Sequence, residues 1–141
     1  MHILKLLSIA LFLFVFQSAF AVQSEDNRQS MNLTDNEKTV FLADMRKMLA
    51  SIQGIVIALG TENRQGMIDA AKASGNQMAR DTPMRIKRKL PPSFQAIGAP
   101  MHLSFEEFAI RAETDELPEL TARLGQMMNN CMACHAAFKV N

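Results

Sequence analysis

Cys131-Met132-Ala133-Cys134-His135-Ala136-Ala137-Phe138-Lys139 stands almost at the end of the chain, with six residues following His135. On a helix, residues at i, i+3 and i+4 stack on one side, so this spacing puts both thiols and the imidazole on a shared face. A bare C-x-x-C is common to redox pairs and to halves of zinc cages. Here the two cysteines are the only ones in 141 residues, so no second pair completes a zinc site and none is left over. C-x-x-C followed directly by His is the attachment signature of a c-type haem. The thiols add to the vinyl groups and the imidazole binds the iron from one side. The motif predicts one covalent haem c on Cys131 and Cys134, with His135 as the proximal iron ligand. The bland alternative is two cysteines on a helix beside a surface histidine.

Working backwards, Leu120, Leu124, Met127 or Met128, Cys131, His135 and Phe138 recur at helical steps and predict the inner stripe of a helix. Thr114 or Asp115 would cap it, with Pro118 in the first turn. An earlier helix turns Met101, Phe105, Phe108 and Ala109 inward. Between Asp81 and Pro100, Pro83, Pro91, Pro92 and Pro100 argue against a long regular helix and leave room for one turn at Phe94 to Ile97. A further helix is expected from Gly66 to Arg80, with Met67, Ala70, Ala71, Ser74 and Met78 inward and Gly75 as its weak point. The first begins at the capping box Thr34-x-x-Glu37. Its expected buried stripe is Leu42, Met45, Leu49, Ile52, Val56 and Leu59, widened by Met48 and Ile55, and Gly60 ends it. No strand-like alternation appears. The expectation is all-α, an antiparallel four-helix bundle over 34–141 with haem near its C-terminus, preceded by a polar, frayed segment at 22–33.

The N-terminus reads as a secretory signal peptide over 1–21. Lys5 closes a short basic region, Leu6 to Phe16 is apolar, and Ala19-Phe20-Ala21 is a small-x-small cleavage site. The apolar stretch is short for a comfortable bilayer span and a polar segment follows it, so the expected address is the periplasm, with no stable membrane insertion after cleavage; the alternative is an uncleaved membrane anchor. Beyond the leader, 14 basic residues face 14 acidic ones. That balance gives no global attraction to nucleic acid or anionic lipid. One domain is expected at this length. Trp and Tyr are absent and Met is abundant, which suits packing against a flat macrocycle.

A sixth iron ligand must come from upstream, because no Met or His follows His135. In an up-down bundle the end of the last helix lies beside the first half of the first. At a rise of about 1.5 Å per residue, Met45 is roughly 16 Å from Thr34 and His135 roughly 6 Å from Lys139. Met45 is the expected distal ligand and Met48 the next choice. Met31 precedes the capping box in the frayed segment. His102 is expected at the side of its helix, on the surface or bonding a propionate.

The C-terminal C-x-x-C-H-x-x-aromatic-basic run, Cys131 to Lys139, resembles the class II cytochromes c, the family of cytochrome c-prime and its low-spin Met/His relatives. The resemblance implies a four-helix bundle, haem on Cys131 and Cys134, and His135 as proximal ligand. It places the distal position near Asp44 or Met45. An arginine common one turn before that position is replaced here by Phe41. Two functions follow from the one fold. With Met45 on the iron, the protein is a low-spin electron carrier. With an open sixth position, it is a five-coordinate c-prime-type protein that binds nitric oxide or carbon monoxide. An enzyme is not expected, since no nucleophile, acid–base pair or phosphate loop stands out. Glu106-Glu107 reads as a solvated face. The basic segment Arg80 to Lys89 would steer an acidic redox partner, or simply be solvated. The resemblance also admits a homodimer through the first two helices.

Overall fold

The computed structural model describes residues 25–141. The expected signal peptide at 1–21 lies outside the described residues. Within them the protein is predominantly helical, and no helix is long and apolar enough to cross a membrane. The long helices are α1 (Asp35–Gly60), α5 (Pro92–Arg111) and α6 (Leu117–Ala137). Shorter ones, α2 (Arg64–Lys72), α3 (Asn76–Asp81) and α4 (Met84–Lys87), run between α1 and α5. A two-residue parallel pair joins β1 (Gln29–Ser30) to β2 (Phe138–Lys139).

The capping box at Thr34 forms as its residue types require. The Glu37 amide donates to Thr34 Oγ1, and Glu37 Oε2 accepts from the Thr34 amide at 2.9 Å. Glu37 is buried and also takes the Lys89 ammonium at 2.6 Å, so the connection before α5 is tied to the start of α1.

Two expected elements are corrected. The helix expected from Gly66 to Arg80 is broken at Ala73-Ser74-Gly75 into α2 and α3. Glu106 of α5 lies against Gly75 and accepts the Asn76 amide at 2.7 Å, a fit that a Cβ on residue 75 would obstruct. Conversely, Pro100 does not break its region and sits inside the continuous α5. Its missing N–H deprives the carbonyl four residues earlier, at Ala96, which is on an exposed turn where water can serve it. Burial of Phe94, Met101, Phe105, Phe108 and Ala109 along the same helix offsets that loss.

Helix α1 packs chiefly on α2, α2 on α5, and α5 on α6, whereas α1 and α6 meet only sparsely. The face that α1 buries differs from the expected stripe. Phe41, Ser51, Ile55 and Ala58 are buried, while Leu49 is 68% and Val56 52% exposed. The cause is the small-residue contact with α2: Ser51 Oγ and Ser74 Oγ share a 2.7 Å hydrogen bond, and Gly54 abuts Ala70. Drawing α1 against α2 on that flank leaves Leu49 and Val56, roughly a third of a turn from Ile55 on the other side, in solvent.

The segment expected to be frayed is also corrected over 25–33. Beyond the β1–β2 pair, the Met31 amide donates to the Lys139 carbonyl at 3.1 Å, and Met31 is only 4% exposed. It belongs to a second core cluster with Phe41, Ile86, Phe94 and Phe138, distinct from the main core of α1, α2, α5 and α6.

Two stability outcomes follow. A Cβ at Gly54 would stand 2.9 Å from Ala70 Cβ, whereas one at Gly125 meets nothing within 4 Å. Gly54→Ala should lose about 1 kcal/mol in urea unfolding, since overpacking of about 1–3 kcal/mol exceeds the helical gain. Gly125→Ala should gain about 0.5–1 kcal/mol.

The Lys89 hydrogen bond, helped by the Thr34 amide, lowers the Glu37 carboxyl from its ordinary 4.5 to about 2. A depressed folded-state value stabilises the fold above pH 4.5, and that stabilisation fades as pH falls towards 2. Urea midpoints measured across this window should fall more steeply for the wild type than for Glu37→Gln.

Candidate functional site

Helix α6 ends where Phe138 turns extended, its amide still bonded to the Cys134 carbonyl. The last two turns of the helix carry Cys131, Cys134 and His135. Both cysteines are free thiols, half-buried, and His135 is exposed. The expectation that His135 shares the buried stripe is thus corrected: Leu120, Leu124 and Met127 are buried, and the imidazole lies beyond their edge. Burial pushes both thiols above their ordinary range, and the nearby Cys131 adds to the shift at Cys134. They are therefore protonated at neutral pH and weak as nucleophiles on their own.

The two thiols border different parts of the core. Cys131 packs against the main cluster, as do Met48 and Ile52. Cys134 packs against the second cluster, as do Met45 and Val140. Met45 and Met48 are both partly buried, so the two expected ligand candidates stand on the half of α1 that shares these clusters with the motif. Among the described residues, no three His, Cys, Asp or Glu side chains converge as a metal cage would require.

Both α1 and α6 carry apolar side chains in solvent. On α1 they are Leu49 and Val56; on α6 they are Met128 at 43% and Met132 at 71% exposure, beside His135. The other flank of α6 is turned to α5, where Arg123 pairs with Glu107 at 3.1 Å and with Asp115 at 3.2 Å. A notch of about 150 Å³ there is lined by Glu107, Phe108, Arg123, Met127 and Asn130. It is smaller than the ~300–1,000 Å³ usual for organic ligands. The sparsely packed border of α1 and α6 forms a seam.

Other residues singled out from the sequence have structural partners. His102 Nδ1 is 2.8 Å from the Ser74 carbonyl, so it holds the α2–α3 corner and neither reaches the seam nor stands free on the surface. Glu106 caps α3 and Glu107 pairs with Arg123, so the two carboxylates diverge. Within the basic segment, Lys89 pairs with Glu37, Lys87 donates to the Arg80 carbonyl at 3.0 Å, and Arg80 donates to Gln77 at 2.7 Å. Arg85 and Arg88 are exposed. Phe41, at the place of the expected arginine, is buried in the second cluster.

Sequence reasoning missed the N-terminal segment. Arg28 Nη1 donates to the His135 carbonyl at 3.4 Å, and Lys139 Nζ donates to the Asp26 carbonyl at 2.9 Å. The only available signal was the apolar Met31 and Leu33 within a polar run. Compared with family models, curated proteins and solved structures, the chain has no significant match.

His102→Ala should cost about 1 kcal/mol, the ordinary net worth of one hydrogen bond. Thermal unfolding checks it.

Proposed function

We propose that this chain is a periplasmic monohaem c-type cytochrome of the class II kind, an electron carrier built as an antiparallel four-helix bundle. The observation that carries the reading is the seam. Cys131 borders the same cluster as Met48 of α1, and Cys134 the same cluster as Met45, and both helices leave apolar side chains in solvent, Leu49 and Val56 on one and Met128 and Met132 on the other. The donor set suits a porphyrin, with two accessible thiols for thioether bonds, an exposed imidazole beside them and thioethers across the seam.

A bound haem c would supply a one-electron couple. Cys131 and Cys134 would hold the group, and His135 would be its proximal ligand. Met45 is proposed as the distal ligand because it packs against the same cluster as Cys134; Met48, packed against the cluster bordered by Cys131, is one turn deeper. A thioether there raises the potential relative to a second imidazole. Arg85 and Arg88 are the charges that would steer an acidic partner, in an encounter that is weak and salt-sensitive.

The purified protein should show a low-spin haem spectrum in both oxidation states, unchanged by brief exposure to carbon monoxide. Met45→Ala should keep the covalent haem and admit carbon monoxide, while Met48→Ala should not. A wild-type ferrous protein that takes up carbon monoxide at once is instead the open, gas-binding type.

A further inference from the structure

The stretch 26–31 wraps the end of α6 that carries the motif. Four contacts hold it there: the β1–β2 pair, the Met31 amide on the Lys139 carbonyl, the Lys139 ammonium on the Asp26 carbonyl, and Arg28 on the His135 carbonyl. Arg28 is itself oriented by Asp26, whose carboxylate accepts Nε and Nη2 at 2.8 Å each. Met31 closes the second cluster, against which Met45 and Cys134 pack. Next to it, Ser30 Oγ is buried without a hydrogen-bond partner among the described residues.

We propose that residues 26–31 form a strap that positions the haem-bearing turn and walls off its end of the α1–α6 seam, with Arg28 as the positioning residue and Met31 as the wall. The proposal rests on the haem reading above. Its physical basis is that Arg28 grips the backbone of His135 itself. The turn that aims the imidazole is held from outside by a segment that no helix requires. A six-residue hydrogen-bonded strap with one buried side chain is also the kind of unit that opens locally without global unfolding.

The test uses the purified mature protein, its Arg28→Ala and Met31→Ala variants, and imidazole as a probe ligand. In the wild type, the Met31 amide should be protected from hydrogen exchange. Each variant should lower that protection about tenfold, the scale of one to two hydrogen bonds. Each should also speed imidazole binding to the ferric haem about tenfold and lower the reduction potential, because water nearer the iron favours the ferric charge. Arg28 is exposed, so its variant folds even where Met31→Ala weakens packing. An unprotected Met31 amide in the wild type overturns the strap. Variants that lose protection yet keep the wild-type potential and imidazole rate overturn its role at the haem. A protein that carries no covalent haem but protects Met31 overturns the haem reading, and with it any role beyond clamping α6.

Discussion

Phe94 sits between Phe41 and Phe138, with ring centroids 5.7 and 5.3 Å apart and tilted or edge-on geometry in both pairs. Such contacts add about 0.5–1.5 kcal/mol per pair beyond their burial, but their larger consequence is registration. They pin the first turns of α1, the start of α5 and the end of α6 to one another. With Phe41 and Phe138 on the same aromatic stack, one turn along each helix brings Met45 and Cys134 to the same cluster. A further turn brings Met48 and Cys131 to the next. Everything proposed for the seam depends on that alignment. A slip by one turn would exchange the two methionines opposite the motif.

Much of this was legible in the sequence, and the parts that were not share a cause. The capping box at Thr34, the end of α1 at Gly60 and the stripe Leu120, Leu124, Met127 are local patterns, and they form as local patterns predict. What periodicity missed was decided by partners far along the chain. Ser51 is buried because Ser74 answers it, and Leu49 is exposed because Gly54 lets α2 approach on the opposite flank. Gly75 breaks a helix because Glu106 packs on it, and Pro100 fails to break one because its orphaned carbonyl faces water. The strap at 26–31 is the extreme case, since its contacts span more than a hundred residues of chain.

For the site, the motif specified the atoms but not their setting. C-x-x-C-H fixes three side chains to one helical stretch. It does not say that His135 lies outside the buried stripe while the thiols sit at its edge. Further back along α6, Arg123 ties the helix to Glu107 of α5 and to Asp115. The charged flank of α6 is satisfied there, and Met128 and Met132, on the far side of the helix, stay in solvent.

The exposed apolar flanks gain meaning when their magnitude is compared with that of the fold. Full burial of one large apolar side chain is worth about 1.5–3 kcal/mol. Covering Leu49, Val56, Met128 and Met132 even halfway would therefore be worth several kcal/mol, against a total stability of about 5–15 kcal/mol for a domain of this kind. A cofactor that fills the seam would act as part of the core, and binding it would be linked to folding. The same comparison bears on the sixth position. Met45 is already partly buried in the cluster pinned by the phenylalanines, so ligation at the iron would require little further ordering of its side chain. Leu49, one turn along the same open face, has no donor atom to offer. The proposed haem chemistry would thus turn on the single turn of α1 from Met45 to Met48, which the aromatic stack at its start holds in place.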